Sequence, residues 1–294
     1  MTFRWQTMGA TVRGVSHLSR DLPNQDVWGS VASNSASCVA VADGHGGRVH
    51  FRSARGAQIA VEETLAELSR LQDCGVPADA DIQQVGRRVT ERWNGRVRGD
   101  LESNPFHIEE LELLAEEGRP SWPGVRKWPT GPLFWLPRLW IAYLQLGDGD
   151  ILAVDEGGTT RRPLPGDPAL AGNRTTLLCA EDAWEDMRVR VETEMPALIA
   201  LSTDGYANSF QTDADFLQIG LLKNGAVRAG ATCREAARNF RRGHPARKQR
   251  RHHVGAVAAN RDRKRWHGAD VERDSGRRGS SGRFPRRICE LFDD

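Results

Sequence analysis

Apolar positions along this chain fall into short runs and spaced stripes whose periods identify the elements. Ser37–Ala42 (SCVAVA) is a continuous apolar run ending at Asp43 and then glycine, the pattern of a buried strand entering a turn. Ala57, Val61, Leu65 and Leu68 recur at helical spacing with Glu62, Glu63 and Glu67 beside them, which predicts an amphipathic helix of several turns. Ile82, Val85, Val89 and Trp93 predict a second. Ile141–Val154 (IAYLQLGDGDILAV) is two apolar runs around Gly147-Asp148-Gly149-Asp150 and reads as a hairpin with glycine where positive φ is needed. Ala197–Thr203 (ALIALST) is a further strand, ending at Asp204-Gly205. Strands and helices do not alternate as in βαβ units, so the expectation is a mostly antiparallel structure with helices packed outside it. No internal repeat is present.

The pattern fails in two places. Residues 121–140 (SWPGVRKWPTGPLFWLPRLW) hold four tryptophans and four prolines, and fit neither a helix nor a central strand. Between Arg234 and Arg287 there are eighteen Lys/Arg against five Asp/Glu, so a net charge of only +2 hides a basic tail and an acidic remainder. The tail lacks apolar periodicity and is expected to be disordered, because it cannot bury enough surface to offset ordering entropy. The expected organisation is therefore a folded domain over 1–222, anomalous at 121–140, followed by a basic tail over 223–294.

Composition narrows the class. The chain has 294 residues, 39% of them hydrophobic and 27% charged, which excludes a wholly disordered protein and is enough for a substantial core. Cys38, Cys74, Cys179, Cys233 and Cys289 are scattered, so neither a disulfide scaffold nor a zinc knuckle is indicated. No apolar run approaches a membrane span and Met1–Ala10 has no signal core, so a soluble, cytoplasmic protein with no membrane partner is expected.

Asp43 and Asp204 each stand where an apolar strand runs out into glycine. Strands stopping at one sheet edge would bring such carboxylates together, and their repulsion is best relieved by a proton or a cation. Oxygen-only ligation suits Mg²⁺ or Mn²⁺ better than zinc. The competing reading of each Asp-Gly pair is a simple turn.

The wider motifs decide between these readings. Val41-Ala42-Asp43-Gly44-His45-Gly46-Gly47 resembles the core motif of the PPM, or type 2C, metal-dependent protein phosphatases. Leu201-Ser202-Thr203-Asp204-Gly205-Tyr206-Ala207-Asn208 is similar to the family's second aspartate motif. Gly14-Val15-Ser16-His17 with Pro23-Asn24-Gln25-Asp26 resembles the opening of a bacterial branch, and Leu146-Gly147-Asp148 stands where the family has Leu-Gly-Asp.

This resemblance implies an α+β fold, a four-layer α-β-β-α sandwich of two mostly antiparallel sheets flanked by helices. It also implies two Mn²⁺ or Mg²⁺ ions and hydrolysis of phosphoserine or phosphothreonine in a phosphorylated protein partner. Asp43 would bridge both ions, the Gly44 carbonyl would bind one, and Asp204 the second, with Asp26 in the same shell. Asp148 matches the holder of a third, weaker ion. His45 matches the general acid toward the leaving oxygen. Arg20 is the candidate phosphate contact, its spacing to Asp26 one residue off the family's pattern; a surface arginine is the alternative. His17, Trp5 and Trp28 read as structural, and His252-His253 as part of a solvated charge run.

Two family features are missing: a Tyr-Gly-Thr-Thr-Leu strand ahead of Leu-Gly-Asp, and a final Asp-Asp-(Ile or Asn)-Thr that supplies another metal aspartate. Written as degenerate codons and shifted by two nucleotides, Lys127–Pro137 (KWPTGPLFWLP) permits Val-Ala-Tyr-Gly-Thr-Thr-Leu-Leu-Ala. Shifted by one, Gln249–Val254 (QRRHHV) permits Ser-Asp-Asp-Ile-Thr-Leu. The chain therefore reads as the product of a gene out of frame in its middle and C-terminal segments. Two other functions stay open: a catalytically impaired regulatory or binding protein of the same fold, and polyanion association through the tail, although nucleic acid is not the expected partner.

Overall fold

The computed structural model describes residues 4–13, 19, 21, 23–33, 36–45, 50–71, 75–116, 131–137, 140–167, 175–180, 182–208, 210–218 and 253–261. Its strands are β1 (Arg4–Val12), β2 (Val27–Ala32), β3 (Ala36–Ala42), β4 (Gly131–Pro137), β5 (Ile141–Leu146), β6 (Asp150–Val154), β7 (Thr160–Arg161), β8 (Arg188–Glu192), β9 (Leu198–Ser202) and β10 (His253–Arg261). Helices α1 (Ser53–Ser69), α2 (Asp79–Ser103) and α3 (Ile108–Glu116) lie between β3 and β4, and the short α4 (Asp204–Ala207) follows β9. One sheet runs β1-β10-β9-β6-β7 and the other β2-β3-β4-β5-β8. Every described pairing is antiparallel.

Alternation of side chains along the strands builds the layers. Val39 and Val41 of β3, Ile141 and Tyr143 of β5, Ile151 of β6, and Ile199 and Leu201 of β9 share one buried cluster with Trp5, which fills the space between the sheets. The intervening residues of β3 and β5 (Cys38, Ala40, Ala42, Ala142, Leu144, Leu146) turn the other way, onto Ile59 and Val61 of α1 and Ile82, Val85, Val89 and Trp93 of α2. Leu152, Val154, Leu198 and Ala200 pack on the far face of the first sheet against Tyr206 and Phe216. Covered on both faces, these strands read as near-continuous apolar runs. The four layers expected from the family resemblance are present.

Four local expectations need correction. Ile141–Val154 is not a hairpin: β5 pairs with β4 and β8, whereas β6 pairs with β7 and β9. Gly147 does take a positive φ of 79°, but the turn crosses between sheets. Two fully apolar runs around a glycine turn cannot specify their partners, since both faces of each strand are buried whichever sheet it joins.

The anomalous segment supplies a central strand. β4 lies between β3 and β5, with Ala40 opposite Leu133 and Leu133 opposite Leu144. Its prolines fall at 132 and 137, near the strand's ends, and the interior run 133–136 is apolar. The supposedly disordered tail supplies another: β10 lies between β1 and β9, joining them into one sheet. Averaging charge over the whole tail hides the small and apolar run VGAVAA at the centre of the nine-residue strand HVGAVAANR. The remainder of 223–294 lies outside the described residues.

The amphipathic pattern of α1 sets Glu63 and Glu67 beside its apolar stripe as polar positions, yet both are buried. Their carboxylates accept from the arginines of α2: Arg88 and Arg92 bind Glu67 at 2.9 and 3.3 Å, and Arg92 and Arg96 bind Glu63 at 2.6 and 2.9 Å. A buried charge needs such partners, and here they lock the two helices in register. Among the described residues no helix is long and apolar enough to cross a membrane.

Candidate metal centre

Antiparallel register places the candidate carboxylates at one end of both sheets. Val27 is paired with Ala42, so Asp26, which precedes β2, and Asp43, which follows β3, leave the second sheet side by side. Asp150 is paired with Ser202, so the start of β6 and the turn after β9 leave the first sheet together, bringing in Asp148 and Asp204. Apolar runs that stop at the same height thus convert four separate sequence motifs into one cluster.

Asp26 is 5% exposed and sits at the centre of it. The Gly44 N–H donates to its Oδ1 at 3.3 Å, and the Thr203 hydroxyl donates to its Oδ2 at 3.1 Å. Its own N–H donates to Asn24 Oδ1 at 3.2 Å. Burial pushes the Asp26 carboxyl up to about 7; the Gly44 and Thr203 donors oppose the rise, and the charge of Asp204 adds to it. Burial likewise holds Asp43 well above the usual carboxylate range, reinforced by Asp26 and Asp204 and, more weakly, by Asp148. Carboxylates that destabilise one another's charge in this way are a fit for a divalent cation, which would replace the retained protons. The donor set is all oxygen, the choice of a hard ion such as Mg²⁺ or Mn²⁺. Among the described residues no three acidic, His or Cys groups close on one point as a finished cage, so what is present is an interacting cluster and not a completed coordination sphere.

The turn carrying Gly44 and His45 is braced from below. A Cβ at Gly44 would lie 2.3 Å from the Gln25 carbonyl oxygen, so only glycine permits this approach of the two motifs. Gln25 Nε2 donates to the His50 carbonyl at 3.1 Å. The Ser53 hydroxyl, at the start of α1, lies 3.0 Å from the His45 carbonyl and 2.9 Å from that of His50. The His45 and His50 rings meet edge to face with centroids 5.9 Å apart. Asp148 accepts from the Thr175 hydroxyl at 3.1 Å, and Asp204 accepts from Asn208 Nδ2 at 3.0 Å.

Asp26, Asp43, Gly44 and Asp204 are therefore brought together, with Asp148 near enough to act on Asp43 and His45 on the same turn. Arg20 and His17 lie outside the described residues. Sequence reasoning passed over Asn24, Gln25, Thr203 and Asn208, although all four stand inside the motifs it used; their polar side chains next to the aspartates were the available signal. Thr175 carried none.

Comparison with known proteins agrees with this arrangement. A family profile described as protein phosphatase 2C matches residues 13–223. Serine/threonine-protein phosphatase 3 of Escherichia coli (strain K12) is 28% identical over 207 residues, covering 68% of this chain and 73% of that protein. Among solved structures, the catalytic domain of the serine/threonine phosphatase PstP with two manganese ions superposes with a TM-score of 0.56 at 15% identity, over 89% of this chain and all of that one. The Mycobacterium tuberculosis phosphatase PstP/Ppp gives 0.53 at 14% identity, over 88% of this chain and 99% of that one. With the profile spanning most of the chain and the sandwich shared, this chain belongs to the protein phosphatase 2C family.

Proposed function

We propose that this protein removes phosphate from phosphoserine or phosphothreonine in a cytoplasmic phosphoprotein, using two divalent cations held at the end of the sheets. The observation that carries this reading is the interacting group of buried Asp26 and half-buried Asp43 and Asp204, each delivered by a different motif to the same end of the two sheets. Asp43 and the Gly44 carbonyl would hold one ion, Asp43 and Asp204 the other, with Asp26 supporting both and Asp148 offering a weaker third position. Bound Mn²⁺ or Mg²⁺ supplies positive charge that screens the phosphate and acidifies water. His45, half-buried on the same turn, gives its proton to the departing serine or threonine oxygen. Arg20 is the residue proposed to orient the phosphate.

The direct test is hydrolysis of an aryl phosphate and of a phosphothreonine peptide with Mn²⁺, with Mg²⁺, and with excess chelator. Both substrates should turn over only with metal; hydrolysis that survives the chelator would overturn the reading.

His45 has a test of its own. A serine or threonine alkoxide leaves poorly without a proton, so His45→Ala should slow peptide hydrolysis by about 10²–10⁴. An aryl phosphate has a good leaving group and should lose far less. Equal losses on both substrates would count against His45 as the acid.

A further inference from the structure

We infer that Thr203 is a positioning residue for the metal centre, acting through Asp26 as a clamp between the two sheets. Thr203 is the residue before α4, with extended backbone (φ −74°, ψ 164°), where a threonine hydroxyl ordinarily caps its own helix. It makes no such cap here. Its hydroxyl instead donates to Asp26 Oδ2, 177 residues away in sequence, and the side chain is 1% exposed. Gly44 holds the other oxygen of the same carboxylate.

The two donors come from positions adjoining Asp43 and Asp204. Gly44 follows Asp43 on the second sheet and Thr203 precedes Asp204 on the first. Asp26 is thus a strut whose two oxygens fix the separation of the two Asp-Gly turns. Each oxygen keeps a lone pair for a cation, and its direction is set by the donor it accepts from. Removing the Thr203 hydroxyl frees one end of the strut while leaving all four carboxylates in the chain. A loss of metal affinity in such a variant reports position, not charge.

This inference rests on reading Asp26, Asp43 and Asp204 as metal-binding, and its test separates the two. Mn²⁺ binding to the full-length protein is measured from the electron paramagnetic resonance signal of free aqueous Mn²⁺, with no substrate present. Thr203→Val, nearly isosteric but without the hydroxyl, should bind Mn²⁺ about tenfold more weakly, the size expected for losing a residue that orients a ligand. Thr203→Ser, which keeps the hydroxyl and loses the methyl, should stay within about twofold of the parent. In the Asp26→Asn background, Thr203→Val should add little, because the strut is already broken.

Parent-like affinity in Thr203→Val would overturn the clamp alone, as would full additivity with Asp26→Asn. A tenfold loss in Thr203→Ser would overturn it without reference to the valine variant, so the test survives a valine variant that fails to fold. Absence of Mn²⁺ binding to the parent protein would overturn the metal reading and the clamp with it.

Discussion

Asp43→Asn is expected to lower Mn²⁺-dependent turnover at least about a hundredfold at saturating metal while leaving the far-ultraviolet circular dichroism spectrum unchanged. The side chain keeps its shape but loses the charge that both cations would share. The fold should tolerate this well. Burial and the charges of Asp26 and Asp204 already disfavour an ionised Asp43 in the metal-free protein, so a neutral amide relieves a repulsion. Unfolding by urea should accordingly show an unchanged or higher midpoint for the metal-free variant. Opposite signs for stability and activity distinguish a functional carboxylate from a structural one. Unchanged turnover would mean that the site is elsewhere.

Much of the site was legible because its logic is local. A strand buried on both faces must end where its apolar run ends, and an Asp-Gly there marks a sheet edge; that holds for Asp43 after β3 and for Asp204 after β9. The helices were equally readable from the spacing of Ala57, Val61 and Leu68 and of Ile82, Val85 and Val89, all of which are buried. Strand partnership was not legible. β5 and β6 are contiguous in sequence and yet belong to different sheets, because a run such as IAYLQL is apolar on both faces and encodes no preference for either neighbour. The Thr203–Asp26 bond was hidden for a related reason: it joins residues on different sheets, and no short-range pattern reports which strands end at the same height. Glu63 and Glu67 show the reverse error. Charge on a helix suggests solvent, but three arginines at one face of α2 are sufficient to bury it.

Frame restoration at residues 249–254 is the change expected to strengthen the metal site most. β10 enters its sheet beside the Thr203–Asp204 turn, since Gly255 is paired with Ser202 and the strand begins two residues earlier, at His253. The codon shift that permits Ser-Asp-Asp-Ile-Thr-Leu in place of Gln249–Val254 writes two aspartates immediately ahead of that point, where the chain as it stands has Arg250 and Arg251. The backbone of both disputed strands is in place, and the largest chemical difference between the two forms over 249–254 is the exchange of two arginines for two aspartates. Two arginines bring no anionic oxygen to a cation, whereas two further carboxylates add ligand oxygens that offset its dehydration. The restored protein should therefore bind Mn²⁺ about 10–100-fold more tightly and turn over a phosphothreonine peptide faster at limiting metal. It should also depend more on metal for stability. Crowding more negative charge onto the site costs the metal-free protein, so Mn²⁺ should raise the melting temperature of the restored form well above the shift seen in the parent. Isothermal titration with Mn²⁺ and thermal melts with and without chelator compare the two directly. If the parent binds Mn²⁺ as tightly as the restored form and melts with the same metal-induced shift, the sequence 249–254 is not a displaced metal motif and the out-of-frame reading of this chain fails.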